Sequence, residues 1–243
     1  MARHRSRAAR WLVPLLLALI ALAAIAFWPS PGAHDAPSPT ASACIAEPRL
    51  AKPGETVCEL GLDAEARITY RGNPISEPWV VTHDSGDGDV PARALVVFPP
   101  SERFALLAGC EGDDPQAICW SLRLVDLVAG KVRAVSSASH YGPKRWISWA
   151  PDGNRLALID DLEGDQVITI MEGASGAIEL HQPENEMAVW RIDEKSFAWD
   201  AADRFHVTVT PCERSEDPAR PASRCGEPVL YSGTVPPGAT GAP

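Results

Sequence analysis

The carboxylates of this chain are its most chemically suggestive side chains. Asp84-Ser85-Gly86-Asp87-Gly88-Asp89 places three of them at spacings of three and two, with glycines between. Hard cations such as calcium take several oxygen ligands from a loop that bends freely, which makes Asp84, Asp87 and Asp89 a candidate metal set. The order is not that of an EF-hand and the distal Glu is missing, so a flexible polar turn is the competing reading. Three further acidic groups each follow a short apolar run: Glu111, Asp113 and Asp114; Asp160, Asp161, Glu163 and Asp165; and Glu213, Glu216 and Asp217. As hairpin loops they would form a docking face for a basic partner or a cation; the alternative is a set of solubilising turns.

Nucleophilic and metal chemistry find little else. The histidines of the body, His83, His140, His181 and His206, show no i, i+2 or i, i+4 pairing, and GxSxG, P-loop, GxGxxG, HExxH and CxxC patterns are all absent. No catalytic set is assigned, and an enzyme remains the alternative only through residues that meet in space. Cys44, Cys58, Cys110, Cys119, Cys212 and Cys225 form three sequence-local couples with spacings of 14, 9 and 13 residues. An even count in an exported chain argues for disulfides, here Cys44–Cys58, Cys110–Cys119 and Cys212–Cys225.

Export follows from the first 43 residues. Met1 to Arg10 is basic, and Trp11 to Trp28 is 18 residues without a charge. Residues 1–28 therefore read as a basic n-region with a membrane anchor, or as a signal peptide cut near Ala24-Ile25-Ala26. Residues 29–43 have the Pro/Ser/Ala composition of a linker, and residues 44–243 are the exported domain. A single-pass protein of the bacterial cell envelope with its domain facing outward is expected, with a secreted or periplasmic product as the alternative. Arg3, Arg5, Arg7 and Arg10 against Asp35 leave 18 basic and 31 acidic side chains beyond residue 43, a formal charge of −13. Nucleic acid is excluded as a partner, because phosphate backbones call for a basic face.

The elements that must position these residues read as strands throughout. Short runs such as Phe104 to Ala108, Trp120 to Leu127, Arg155 to Ile159, Gln166 to Met171 and Phe205 to Thr210 are separated by Gly and Pro turns, and none sustains a helical period. The expected class is all-β with short antiparallel strands. Trp149-Ala150-Pro151-Asp152-Gly153-Asn154-Arg155-Leu156-Ala157-Leu158 resembles the repeat of the TolB-type, WD40-like (PD40) β-propellers. Weaker copies begin at Leu62, Phe98 and Trp199, each without the Gly and one residue shorter.

The resemblance implies a propeller-like domain of about four blades, closed or incomplete, with a β-sandwich as the alternative. As family expectation it also implies a periplasmic scaffold that contacts another envelope protein. Trp149 and Trp199 stand at matching positions and read as core anchors, whereas Trp79 and Trp190 have no repeat equivalent. The leading functional expectation is a non-enzymatic binding domain; a hydrolase or other enzyme on a propeller-like fold and a calcium-stabilised structural domain are the alternatives.

Overall fold

The computed structural model describes residues 44–81, 90–113, 119–135, 146–162, 165–185, 187–213 and 224–235. All of them are strand, turn or coil, with no helix among the described residues, and every strand pair is antiparallel. In chain order, β1 (Arg49–Ala51) is followed by a meander of β2 (Thr56–Val57), β3 (Leu60–Leu62), β4 (Arg67–Tyr70) and β5 (Asn73–Pro78). A two-stranded ribbon, β6 (Val80–Val81) and β7 (Val90–Pro91), leads to a second meander of β8 (Ala94–Val97), β9 (Phe104–Cys110), β10 (Cys119–Asp126) and β11 (Lys131–Val135), to which β1 adds as an edge strand on β8. A third meander comprises β12 (Ile147–Trp149), β13 (Arg155–Leu162), β14 (Asp165–Glu172) and β15 (Ile178–His181), and the last strands are β16 (Ala188–Ala201), β17 (Arg204–Glu213) and β18 (Val229–Thr234).

The third meander and the last three strands share one sheet, but the sheet forks. Strand β14 pairs with β15 over Ile168–Met171 and touches β16 only at Gln166 opposite Trp190.

Alternation along the strands stacks these sheets face to face, because successive side chains leave opposite sides of a strand. On β8 and β9, Leu95, Val97, Ala105 and Leu107 pack against Leu60, Leu62 and Ile68 of the first meander. Their neighbours Ala94, Val96, Phe104 and Leu106 pack against Leu156, Leu158 and Met171 of the third. Ala157, Ile159, Ile168 and Ile170 of that third meander then cover Trp190, Ile192, Phe205 and Val207. Strands β8, β9, β13 and β14 are thus buried on both faces, which is why β8 and β9 read as unbroken apolar runs. The last sheet has one dry face: Phe205, Val207 and Val209 are buried while His206, Thr208 and Thr210 between them are half-exposed.

The four similar segments occupy one kind of position, each joining consecutive antiparallel strands: β3 to β4, β8 to β9, β12 to β13 and β16 to β17. In the strongest copy Asp152 Oδ1 accepts the Asn154 N–H at 3.0 Å and Gly153 adopts φ +67°. Ser101 Oγ accepts the Phe104 N–H at 2.9 Å, and Asp63 Oδ1 the Arg67 N–H at 2.8 Å. The turns also tie neighbouring sheets. The Trp149 indole donates to the Pro99 carbonyl at 2.7 Å and the Trp199 indole to that of Ser148 at 3.3 Å. Arg155 reaches the Ala202 carbonyl at 2.9 Å.

The three predicted disulfides are all formed. Cys44–Cys58 spans 5.7 Å between Cα atoms; Cys110–Cys119 and Cys212–Cys225 each join residues directly opposite one another in antiparallel register, 4.0 Å apart. The expected acidic loop at 160–165 needs correction. Leu162 pairs with Asp165, so only residues 163 and 164 separate the strands, and Asp160, Asp161 and Asp165 belong to β13 and β14 themselves. Glu213 likewise ends strand β17.

Candidate functional site

The sheets meet incompletely where the first meander overlies β10 and β11, and the gap is a groove of about 640 Å³, within the range of ligand sites. Its walls include Ile68, Ile75, Trp79, Arg123, Val132 and Ala134. Trp79 is placed by Gly109: a Cβ at that residue would stand 2.7 Å from the indole ring, so only glycine lets the ring lie flat on β9. The indole N–H donates to Ser121 Oγ at 3.2 Å.

Arg123 is positioned from β10, directly opposite Ala134 of β11. Its guanidinium lies 5.3 Å over the Trp79 ring, and its Nη1 donates to the Leu122 carbonyl at 3.2 Å and to Ser121 Oγ at 3.4 Å. Among the described residues no carboxylate forms an ion pair with it. Among the described residues burial alone acts on its ionisation, pulling the pKa below the ordinary arginine value. A guanidinium over an indole face beside apolar walls can hold an anionic group bidentately while neighbouring apolar side chains pack. Ser76 and Glu77 of β5 also line the groove.

A second cleft, of about 530 Å³, opens at the fork of the third sheet. His181, 8% exposed at the end of β15, lies edge-on to Phe205. Its Nδ1 is 2.9 Å from the Tyr231 hydroxyl, and its Nε2 is 3.5 Å from Glu179 Oε1. Burial lowers the His181 pKa, and the Glu179 carboxylate only partly opposes this; burial first and Glu179 and Glu184 second raise that of Tyr231. Gln166 closes the fork by accepting the Ile192 N–H at 2.6 Å.

The predicted site residues are distributed differently. Asp84, Asp87, Asp89, Asp114, Glu163, Glu216 and Asp217 lie outside the described residues. Glu111 is half-buried just beyond β9, Asp113 and Glu213 are exposed, Asp165 lines the fork cleft, and Asp160 is 3% exposed inside β13. The starts of β9, β13 and β17 are neighbours, since Ser101 touches the Gly153 position and Arg155 reaches Ala202. Glu111 and Glu213 therefore mark the opposite ends of β9 and β17, and Asp165 begins β14 beside the far end of β13, but Asp160 is no part of an exposed acidic rim. Among the described residues no group of three His, Cys, Asp or Glu side chains is placed to hold a metal ion.

Trp79 and Trp190 are buried, 2% and 9% exposed. Sequence reasoning missed Arg123, whose only signal is a lone cation between Leu122 and Leu124 in an otherwise apolar run. No helix among the described residues is long and apolar enough to cross a membrane, and residues 11–28 lie outside them. Comparison with known proteins finds no matching family and no matching curated protein.

Proposed function

We propose that this chain is an exported, non-enzymatic binding domain of the bacterial cell envelope that holds another envelope protein, its sheets being successive blades of an incomplete propeller-like stack. The observation that carries the binding reading is the groove at β11, where Arg123, with no carboxylate ion pair among the described residues, is stacked on Trp79 beside Ile68, Ile75 and Val132. Three supports stand beside it. The disulfides suit an oxidising compartment outside the cytoplasm. The four similar turns recur at equivalent strand junctions, and the Trp149 and Trp199 indoles bond to residues 50 and 51 positions earlier. The hydrophobic segment 11–28 and the linker 29–43 would tether such a domain and let it reach a neighbour.

The test is a photo-crosslinking amino acid placed at Ala134, in the groove, and at Ala174, in the exposed β14–β15 turn, of the full chain in intact envelopes. A discrete partner captured from Ala134 and not from Ala174 is the expected result. Absence of any specific adduct from Ala134, together with turnover of a substrate by the purified chain, would reject the reading.

A further inference from the structure

We infer that the groove takes an extended segment of the partner protein as an extra strand on the free edge of β11, with an acidic side chain of that segment held by Arg123; this rests on the binding reading above. Among the described residues β11 bonds only to β10, and none of them pairs with its other edge, the edge to which strand addition would occur. The opposite wall is the poorer partner, because Pro74 and Pro78 of β5 have no N–H to donate. The β5 wall therefore offers fewer backbone donors than β11, beside the Ser76 and Glu77 side chains.

Register then decides what the added strand must carry. Arg123 and Ala134 face each other across β10 and β11, and Val125 and Val132 do so two residues on, so all four lie on one face of the sheet. Every second side chain of a strand added to β11 enters the groove on that same face. Opposite Ala134 it meets only a methyl group, and a side chain of glutamate length extends across that methyl to the guanidinium. Its neighbours two residues away fall against Val132, Ile75 and Ile68.

Charge complementarity selects the acid. Among the described residues no carboxylate forms an ion pair with the Arg123 guanidinium, not even Glu77 of the same groove, and burial perturbs it. A half-buried cation without a counter-charge is costly, and a carboxylate supplies both the charge and paired acceptors. The surrounding body carries −13, so Arg123 is a local exception that a basic or neutral segment would leave unsatisfied.

The test titrates the full chain in detergent micelles with blocked heptapeptides of alternating threonine and valine carrying a central Glu, Gln or Lys. Tryptophan fluorescence and the amide shifts of β11 report binding. The Glu peptide is expected to bind at least about tenfold more tightly than the Gln peptide, a difference of about 1.4 kcal/mol, with Lys weakest. Arg123→Gln should erase the Glu preference, Arg123→Lys should keep part of it, and Ala134→Leu should block all three peptides while the β-sheet circular dichroism stays unchanged.

Equal binding of the Glu and Gln peptides overturns the inference, and so does no binding at all. Saturation of Arg123 by acetate without any peptide preference also overturns it. So does peptide binding that emerges only when Asp84, Asp87 and Asp89 are replaced by Asn, or self-association that occupies β11. If the Ala134 crosslink captures a partner equally well from Arg123→Gln, the binding function stands and the acidic strand falls. If the peptide preference holds but no partner is captured, the reverse applies.

Discussion

Trp79 lies flat on β9 only because residue 109 carries no side chain, and the same ring supports Arg123. Gly109→Ala would put a methyl 2.7 Å from the indole, a separation that side-chain carbons do not adopt, so the ring or the strand must shift. Overpacking of this kind costs about 1–3 kcal/mol. We expect a lower urea midpoint with an unchanged slope, and a weaker tryptophan response to groove ligands. An unchanged midpoint would mean that the ring has room to move.

His181 gives a second residue-level prediction. Burial holds its folded pKa below the ordinary 6.5, so the unfolded chain takes up a proton first as the pH falls. Its contribution is therefore fully present above about pH 7 and declines as the pH drops through 6.5, until the folded ring also protonates. Glu179, 3.5 Å away, moderates the loss without reversing it. Melting temperatures measured from pH 7.5 to 5 should fall for the native chain and show a shallower slope for His181→Gln. Parallel slopes would exclude His181 as the source.

At the scale of the element, the cross-strand disulfides do for the sheets what turn residues do elsewhere. Cys110–Cys119 clamps the outer ends of β9 and β10, and Cys212–Cys225 ties β17 to the segment that precedes β18, in loops of 9 and 13 residues. Loop-closure estimates assign each about 2.5–3 kcal/mol. Replacing both cysteines of either pair by Ser should lower stability by about that amount, measured by denaturant unfolding under non-reducing conditions. A change below about 0.5 kcal/mol would show that the strand register holds without the clamp.

Both pairings were legible in the sequence because the partners are close along the chain. The turn around Asp152-Gly153 was legible too, since its side-chain acceptor and positive φ are local chemistry. The β2–β3 turn was not: Cys58 and Glu59 take φ 53° and 64° without glycine, held by the Cys44 disulfide and by the ion pair of Glu59 with Arg71 at 3.0 Å. The length of β13 and β14 was misjudged for the converse reason. Asp160 and Asp161 look like loop residues by type, yet the hairpin register carries them within the ladder. The groove was illegible because Arg123, Trp79 and Ile75 are joined only by sheet stacking, which no local pattern encodes.

For the whole molecule, the stack predicts where opening begins. Strands β8, β9, β13 and β14 are covered on both faces, whereas the first meander and the β16–β18 layer each bury one face, as Thr208 and Thr210 show for the latter. Stability in such layered chains is a sum of unit and interface contributions, so a terminal layer that loses one interface opens more readily than a middle layer that must lose two. Native-state amide exchange at increasing denaturant should therefore rank the strands. The amides of β9 and β13 exchange last and only through global unfolding, and those of β5 and β18 exchange first through partial opening. Trp199→Phe sharpens the test, because it removes the indole bond to Ser148 that joins the last layer to the third meander. It should cost about 1 kcal/mol, lowering the protection of β17 and β18 while leaving β9 unaltered. If all strands instead exchange with one common free energy and Trp199→Phe shifts them equally, the layers are a single cooperative unit and the stacked description of the energetics is wrong.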